Sequence, residues 1–136
     1  MGAFSAGVVP VLRENGQVFY LLLRSFNYWD FPKGGVDSEE TPLKAALREL
    51  KEETAIENVR FSWGDEYIET APYAKGKIAR YYIAEVNGRE VQILPNPVLG
   101  KAEHHEYRWV SYEEAVPLLG PRVKAVLDWA KGRVAH

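Results

Sequence analysis

The segment "TPLKAALRELKEET", residues 41–54, constrains the fold of this 136-residue chain more than any other stretch. Thr41 is a good helix N-cap and Pro42 suits the first helical position, so we expect a helix from Pro42 to about Thr54. Leucines recur along it at positions i, i+4 and i+7, namely Leu43, Leu47 and Leu50. This spacing predicts a helix with one buried stripe, which the rest of the chain must cover with a hydrophobic layer.

The other hydrophobic runs have the composition of β-strands. Two of them, Ser5–Leu12 and Val18–Arg24, flank the dipeptide Asn15-Gly16, which is typical of a tight hairpin turn. Four more strand-like segments follow the helix: Val59–Trp63, Tyr67–Thr70, Lys77–Val86 and Glu106–Ser111. The chain therefore has enough strands to build a sheet against which the helix can pack.

Two further helices are predicted after the last strand. Ser111 and Glu114 have the spacing of a capping box, which marks a helix start. A last amphipathic helix is expected in "RVKAVLDWAKG", residues 122–132. The order of all these elements predicts an α+β fold, a mixed β-sheet sandwiched between helices, in one domain of residues 1–136.

Composition limits the classes of function. The chain has no cysteine, which excludes disulfides, thiol catalysis and cysteine-ligated metal sites and fits the reducing cytoplasm. The formal net charge is −2, so the overall charge gives no argument for binding to nucleic acids or membrane surfaces. No apolar run reaches the roughly 18 residues of a membrane span, and the N-terminus lacks the basic start of a signal peptide. We therefore expect a cytoplasmic protein with no membrane partner.

Three glutamates lie close together on the predicted helix: Glu49, Glu52 and Glu53. They share a face away from the leucine stripe, and like charges at these spacings cost about 0.2–0.5 kcal/mol per pair. One interpretation is a solvated acidic face, balanced by the neighbouring cations Lys44, Arg48 and Lys51. The other is that a divalent cation neutralises the cluster, and carboxylate oxygens favour Mg²⁺ or Mn²⁺ over zinc.

The residues around the helix favour the second interpretation. The segment "PKGG", residues 32–35, precedes the helix, and its two glycines allow the backbone to come close to a ligand. The glycine segment and the helix together resemble the box of the Nudix hydrolase family, G-x5-E-x7-R-E-(apolar)-x-E-E-x-G-(apolar). The matching residues are Gly34, Glu40, Arg48, Glu49, Leu50, Glu52, Glu53 and Ile56. One position departs, because Ala55 stands where the family has glycine, and alanine costs roughly 1 kcal/mol in a left-handed helix exit.

The resemblance implies the Nudix fold, a mixed sheet between helices, and hydrolysis of a diphosphate linked to another moiety. Carried over by position, the ligands of Mg²⁺ (or Mn²⁺) are Glu49, Glu52, Glu53 and the backbone carbonyl of Lys33. Arg48 orients these glutamates and Glu40 braces the loop before the helix. Glu103 matches a glutamate that relatives supply from a later loop as a metal ligand or base, with a solvated loop acid as the alternative. The catalytic base stays open among Glu49, Glu53 and Glu103.

The segment "WDFPKG", residues 29–34, narrows the expected substrate. It looks like the Nudix subgroup that hydrolyses dinucleoside polyphosphates, notably the asymmetric diadenosine tetraphosphate hydrolases. Residues 77–86 and 103–115 resemble later segments of the same subgroup. The resemblance implies a nucleotide substrate and cleavage of diadenosine tetraphosphate into ATP and AMP.

Several residues are candidates for binding that substrate: Lys33, Gly34, Gly35, Lys77, Tyr81, Tyr82 and His104, with Arg80 as a further cation. The cations among them pair well with phosphate oxygens. Tyr81 or Tyr82 is expected to stack on adenine, with packing in the core as the alternative. Arg80 and Tyr81 alternate on a strand and therefore face opposite sides of the sheet. His104 either stabilises the phosphates or is simply exposed.

Three alternatives to this substrate stay open. An RNA pyrophosphohydrolase shares a similar "FP(K/Q)GG" approach, but the chain lacks the long basic stretch that favours RNA. A diphosphoinositol polyphosphate hydrolase needs more lysines around the site than the sequence offers. The alternative from another class is a nucleotide-binding sensor without catalysis. Such modules typically lose box glutamates, whereas this chain has all four, Glu40, Glu49, Glu52 and Glu53.

Overall fold

The computed structural model describes residues 3–95, 104 and 106–135. Its strands are β1 (Phe4–Glu14), β2 (Gln17–Ser25), β3 (Tyr28–Asp30), β4 (Lys33–Gly35), β5 (Val59–Arg60), β6 (Tyr67–Glu69), β7 (Ile78–Val86) and β8 (Glu106–Val110). Its helices are α1 (Pro42–Thr54), α2 (Tyr112–Ala115), a 3₁₀ turn (Val116–Leu118) and α3 (Pro121–Val134). Within this described part of the chain, no helix is both long and apolar enough to cross a membrane.

The strands form one mixed sheet centred on β1. β1 pairs in parallel with β7 on one edge and antiparallel with β2 and β4 on the other. β5 and β6 pair antiparallel with β7, and β3 and β8 with β2. At Ser5–Gly7, β1 is therefore flanked by the glycine segment of β4 on one side and by β7 on the other.

Helices cover both faces of the sheet. On one face, α1 packs Ala45, Ala46 and Leu50 against β1 and β7. On the other face, α3 packs apolar residues against the opposite side of the same strands: Val123, Val126, Leu127 and Ala130. These two clusters confirm the predicted mixed sheet between helices and fix α1, with its glutamates, next to β4.

The predicted element bounds are correct for α1 and close for most strands. The β1–β2 hairpin turns at Asn15 and Gly16, which both have positive φ, as the sequence indicated. The capping box is also present, because Ser111 Oγ accepts from the Glu114 amide and Glu114 Oε1 accepts from the Ser111 amide. The strand predicted to reach Trp63 ends at Arg60, since the chain then turns at Phe61–Gly64. The sequence does not predict β3 and β4, because each has only three residues and Pro32, which lacks an amide donor, lies between them.

Candidate active site

The Thr41-Pro42 sequence places α1 directly after the glycine segment. Thr41 Oγ1 accepts a hydrogen bond from the Lys44 amide at 3.2 Å, and Pro42 is the first helical residue. A residue earlier, Glu40 Oε1 accepts from the Asp37 amide at 3.1 Å and closes the loop between β4 and the helix. The start of α1 is thus held at a fixed distance from Gly35, where β4 ends.

Arg48 is the centre of the polar contacts on α1. Its guanidinium donates to both oxygens of Glu40 at 2.7 and 2.8 Å, and to the Gly35 carbonyl at 2.9 Å. It also donates to Glu49 at 3.3 Å and to Glu52 at 3.1 Å. One side chain thus links the loop, the glycine segment and two of the glutamates, and the roles implied for Arg48 and Glu40 in the reaction stay predictions.

The ion pair between Arg48 and Glu40 is charged at neutral pH. The hydrogen bonds from Arg48, followed by the backbone bond from Asp37, lower the pKa of Glu40 to about 2. Its hydrogen bonds to Glu40 in turn raise the pKa of the Arg48 guanidinium above its ordinary value. Arg48 therefore acts as a permanent cation that reduces the repulsion between Glu49 and Glu52.

The three glutamates differ in burial. The exposed fraction of the side chain is 33% for Glu52, 14% for Glu49 and 8% for Glu53. The expectation that all three lie well away from the buried stripe is wrong for Glu53. The buried face is centred on Ala46 and Leu50, whereas the other two leucines of the stripe are only partly buried. Glu53 follows Leu50 by three residues and therefore lies on the same face.

Gly34 lets the Glu49 carboxylate approach the backbone of β4. A Cβ atom added at Gly34 lies only 2.0 Å from Glu49 Oε2 and 2.4 Å from Oε1. At Gly35, by contrast, an added Cβ meets nothing within 4 Å. The first glycine of the pair is therefore required by the close contact with Glu49, and the second is not required by any contact of this kind.

His104 lies beside the most buried glutamate. Its Nε2 is 3.6 Å from Glu53 Oε1, and its side chain is largely buried. The interpretation of His104 as an exposed residue is therefore wrong, and its role towards phosphate stays a prediction. Glu103 lies outside the described residues, so its expected role as ligand or base also stays a prediction.

The burial of Tyr81 and Tyr82 contradicts the prediction that one of them stacks on adenine. Tyr81 is 0% exposed, in the core beneath α3, and its hydroxyl is hydrogen-bonded. Tyr82 is 5% exposed and packs under α1, with its ring in a T-shaped contact with the Tyr67 ring. Neither ring offers an open face to a base. The half-exposed ring at this edge of the sheet is that of Tyr67.

The candidate cations lie in different settings. Lys33 is part-exposed, with Nζ 3.9 Å from Asp30 Oδ2. Lys77 is exposed at the start of β7, where its amide and carbonyl pair with Tyr73. Arg80 is bound to Glu69 at 2.6 Å and lies 3.8 Å above the Tyr67 ring, on the sheet face opposite to Tyr81 as predicted. Of the three, Lys33 is the one whose backbone directly precedes Gly34, the glycine against which the Glu49 carboxylate lies.

A family model described as the NUDIX domain matches residues 1–130. The chain belongs to the Nudix hydrolase family. The mouse asymmetrical bis(5'-nucleosyl)-tetraphosphatase is 34% identical over 121 residues, which cover 85% of this chain and 78% of the relative. The corresponding Caenorhabditis elegans protein is 32% identical over 120 residues, covering 84% and 83%. An RNA pyrophosphohydrolase of Bartonella henselae is 31% identical over 102 residues, covering 65% and 59%.

Solved structures agree with the Nudix fold. A crystal structure of a C. elegans Ap4A hydrolase binary complex superposes with a TM-score of 0.79 at 27% identity, covering 98% of each chain. The NUDIX domain of Shewanella oneidensis NrtR, solved with ADP ribose, gives a TM-score of 0.76 at 19% identity, covering 98% and 89%. The second likeness concerns the fold alone.

The Nudix box of this chain has the donors that a divalent cation requires. Nudix hydrolases generally use such ions, and the box offers carboxylate oxygens, the ligands that hard cations prefer. Gly34 leaves room for the Glu49 carboxylate against the backbone. The Glu53 carboxylate is largely buried, and a buried negative charge needs a positive charge nearby. Within the described residues, no three side chains already converge as the ligands of an ion, and Arg48 contacts two of the glutamates. The residues present fit the ion in chemistry and position on α1.

Ala55, the departure from the Nudix box, occupies the conformation that glycine has in the family. Its φ is 67° and ψ 7°, and its amide donates to the Lys51 carbonyl at 2.8 Å, so α1 ends in a left-handed cap without glycine. The exit of the helix is therefore preserved and the alanine carries the conformational cost.

We expect Ala55→Gly to stabilise the protein by about 1 kcal/mol, because glycine removes the steric cost of the left-handed conformation. The measurement is the free energy of unfolding from urea denaturation. Ala71→Gly is the matched control, since Ala71 is exposed and is not among the residues with positive φ. There glycine only adds freedom to the unfolded chain and is expected to destabilise slightly. Equal effects at the two positions contradict this explanation.

Two residues near the Nudix box were missed by sequence reasoning. Asp30 and Arg122 are joined by an ion pair of 2.9 Å, although they are 92 residues apart in the sequence. One signal was available: Arg122 is the second residue of α3, and a cation is disfavoured at a helix N-terminus. A residue at a locally unfavourable position often has a tertiary partner, which here is Asp30.

Proposed function

We propose that the Nudix domain of residues 1–136 hydrolyses dinucleoside polyphosphates, with Mg²⁺ or Mn²⁺, and splits diadenosine tetraphosphate and water into ATP and AMP. The observation that carries the proposal is the contact between Gly34 and the Glu49 carboxylate, fixed by Arg48. It supports an acidic site directly against the backbone of β4. Relatives named as asymmetrical tetraphosphatases, which match more than four fifths of this chain, support the substrate.

In the proposed reaction each residue has a limited task. The bound ion supplies positive charge for the diphosphate and a water of lowered pKa. Glu49, Glu52 and Glu53 hold it, with the carbonyl of Lys33. Arg48 and Glu40 keep these groups in place, and Lys33 pairs with phosphate oxygens. One carboxylate accepts the proton of the attacking water, and Glu49, Glu53 and Glu103 are the candidates.

Gly35, Lys77 and His104 are proposed to line the phosphate path. Tyr81 and Tyr82 are buried and are not assigned to the base. The cytoplasm is proposed as the location because a chain free of cysteine suits a reducing compartment.

The test is a substrate panel with products separated by chromatography. We expect diadenosine tetraphosphate with Mg²⁺ to give ATP and AMP in equal amounts, at a higher kcat/KM than a 5'-triphosphorylated RNA. Two ADP molecules per substrate contradict asymmetric attack. A clear preference for the RNA replaces this proposal with the RNA alternative, the activity named for the Bartonella henselae relative, whose match covers 65% of this chain.

A further inference from the structure

Three polar side chains from distant segments form a closed hydrogen-bonded cluster on the α3 side of the sheet. Arg122 donates through Nη2 to Asp30 Oδ2 at 2.9 Å and through Nη1 to the Tyr81 hydroxyl at 3.1 Å. The Tyr81 hydroxyl in turn donates to Asp30 Oδ1 at 2.9 Å. Each member therefore contacts the other two. We call this set the Asp30 cluster.

The Asp30 cluster is costly to form and so fixes one geometry. Tyr81 is fully buried, and the guanidinium of Arg122 lies 4.1 Å above the Tyr73 ring, half-buried at the N-terminus of α3. Burial of charged groups is repaid only when their partners are well placed, and such networks restrict the positions of their members. The position of Asp30 is consequently determined by β7 and α3 as well as by its own strand.

Asp30 adjoins the segment that carries the active-site lysine. Its Oδ1 accepts from the Phe31 amide at 2.7 Å, and the Pro32 carbonyl accepts from the Val8 amide at 3.0 Å. The segment crosses β1 so closely that a Cβ added at Gly7 lies 2.3 Å from the Pro32 oxygen. The backbone directly before Lys33 is thus held by Asp30 and by β1, and the Lys33 ammonium lies near Asp30 on the α3 side of the sheet.

The contacts of Asp30 leave the Lys33 ammonium available. Arg122 and Tyr81 each occupy one carboxylate oxygen of Asp30 at hydrogen-bond distance, whereas Lys33 Nζ lies at 3.9 Å, beyond that distance. The Lys33 ammonium is therefore attracted electrostatically to the Asp30 carboxylate but is too far from it for a hydrogen bond. If Arg122 were absent, Asp30 would keep a part-buried negative charge and its nearest cation would be Lys33.

We propose that Arg122 and Tyr81 are positioning residues that satisfy Asp30 and so keep the Lys33 ammonium free for the polyphosphate of the substrate. This inference rests on the proposed function, because it assigns Lys33 to the phosphates. Arg122 and Tyr81 act through Asp30 and contact no substrate themselves. Their loss affects binding of the phosphate chain more than the chemical step.

The test compares single and combined variants in two assays, the KM and kcat for diadenosine tetraphosphate and the Kd of ATP by calorimetry. We expect Arg122→Met to raise KM and Kd about ten-fold, the size of one lost charge-assisted contact, while kcat changes little. Tyr81→Phe removes only the hydroxyl and is expected to act in the same direction. Tyr112→Phe is the matched control, because that hydroxyl donates to Asp128, also on α3, at 2.6 Å.

Two combinations separate positioning from other roles. Adding Asp30→Asn to Arg122→Met removes the charge that captures Lys33, and we expect it to restore most of the affinity. In a Lys33→Met background, Arg122→Met is expected to have little further effect. Additive losses overturn the proposal, since Arg122 then contacts the substrate itself. A lower melting temperature with unchanged KM and Kd also overturns it, as a purely structural role.

The two assays keep this inference distinct from the proposed function. If the unsubstituted chain binds ATP but cleaves no dinucleotide, the proposed function fails and the ATP affinities still decide the role of Arg122. If the chain cleaves the dinucleotide and all variants bind ATP like the unsubstituted chain, the inference alone fails. A chain that neither cleaves nor binds nucleotides overturns both.

Discussion

Glu53→Gln is expected to lower turnover by about 10²–10³-fold while the fold survives, because it removes one charge from the group that stabilises the reacting phosphates. Glutamine preserves the shape of the side chain, which is 8% exposed next to His104. A buried carboxylate is costly in the absence of the ion, so the variant is expected to keep or raise the melting temperature measured without metal. The measurements are kcat at saturating Mg²⁺ and the melting temperature with and without Mn²⁺.

Glu57→Gln is the control for that change. Glu57 is an exposed acid just beyond α1, paired with Lys51 at 2.7 Å, and its loss is expected to leave turnover unchanged. The unsubstituted protein is expected to gain thermal stability from Mn²⁺, and Glu53→Gln to gain much less. Full activity in EDTA, or in the Glu53→Gln variant, would falsify the proposed metal site.

The sequence determined those elements whose signals are local. Thr41 and Pro42 mark the start of α1 because a cap and its partner amide are three residues apart, and the structure shows that bond between Thr41 and Lys44. The β1–β2 hairpin followed from Asn15 and Gly16 for the same reason. The Nudix box also spans only 23 residues, so all its spacings lie within one loop and one helix.

The burial of Glu53 was hidden by the small residues of α1. The leucine stripe predicts one buried face, but Ala45 and Ala46 are fully buried and turn that face towards Glu53. Alanine adds little to a hydrophobic pattern, yet it allows the helix to lie close to the sheet. Counting alanines as apolar is what places Glu53 at the margin of the core.

The Asp30 cluster and the stacking prediction show what local patterns cannot supply. Tyr81 and Asp30 are 51 residues apart and Tyr81 and Arg122 are 41 apart, so their contact depends on how β7 and α3 pack. The same packing buries the Tyr81 ring that was expected to hold a base. A tyrosine on a strand can lie on either face of the sheet and can be buried or open to a ligand. Which of these holds depends on the helix that packs on that face.

The second large effect is expected for Gly34→Ala, a change of one methyl group. The new Cβ lies 2.0 Å from Glu49 Oε2, so the carboxylate has to move away from the backbone of β4. The conflict is with the mobile end of a side chain, so β4 keeps its pairing with β1 and we expect the free energy of unfolding to change by less than about 1 kcal/mol. Turnover is expected to fall about 100-fold, because one carboxylate no longer reaches its place.

Two comparisons make the Gly34→Ala prediction specific. Gly35→Ala adds the same methyl group where nothing lies within 4 Å, and its loss of turnover is expected to be at least ten-fold smaller. Glu49→Asp shortens the carboxylate and is expected to be harmful alone, but to add little to Gly34→Ala, since both changes remove the same contact. If the fold-loss of turnover in the double variant is the product of the two single losses, Gly34 acts on something other than Glu49. A Gly34→Ala protein that turns over at the normal rate shows that the Glu49 carboxylate is not needed against the backbone, and the acidic site then has to be assigned to Glu52, Glu53 and Glu103.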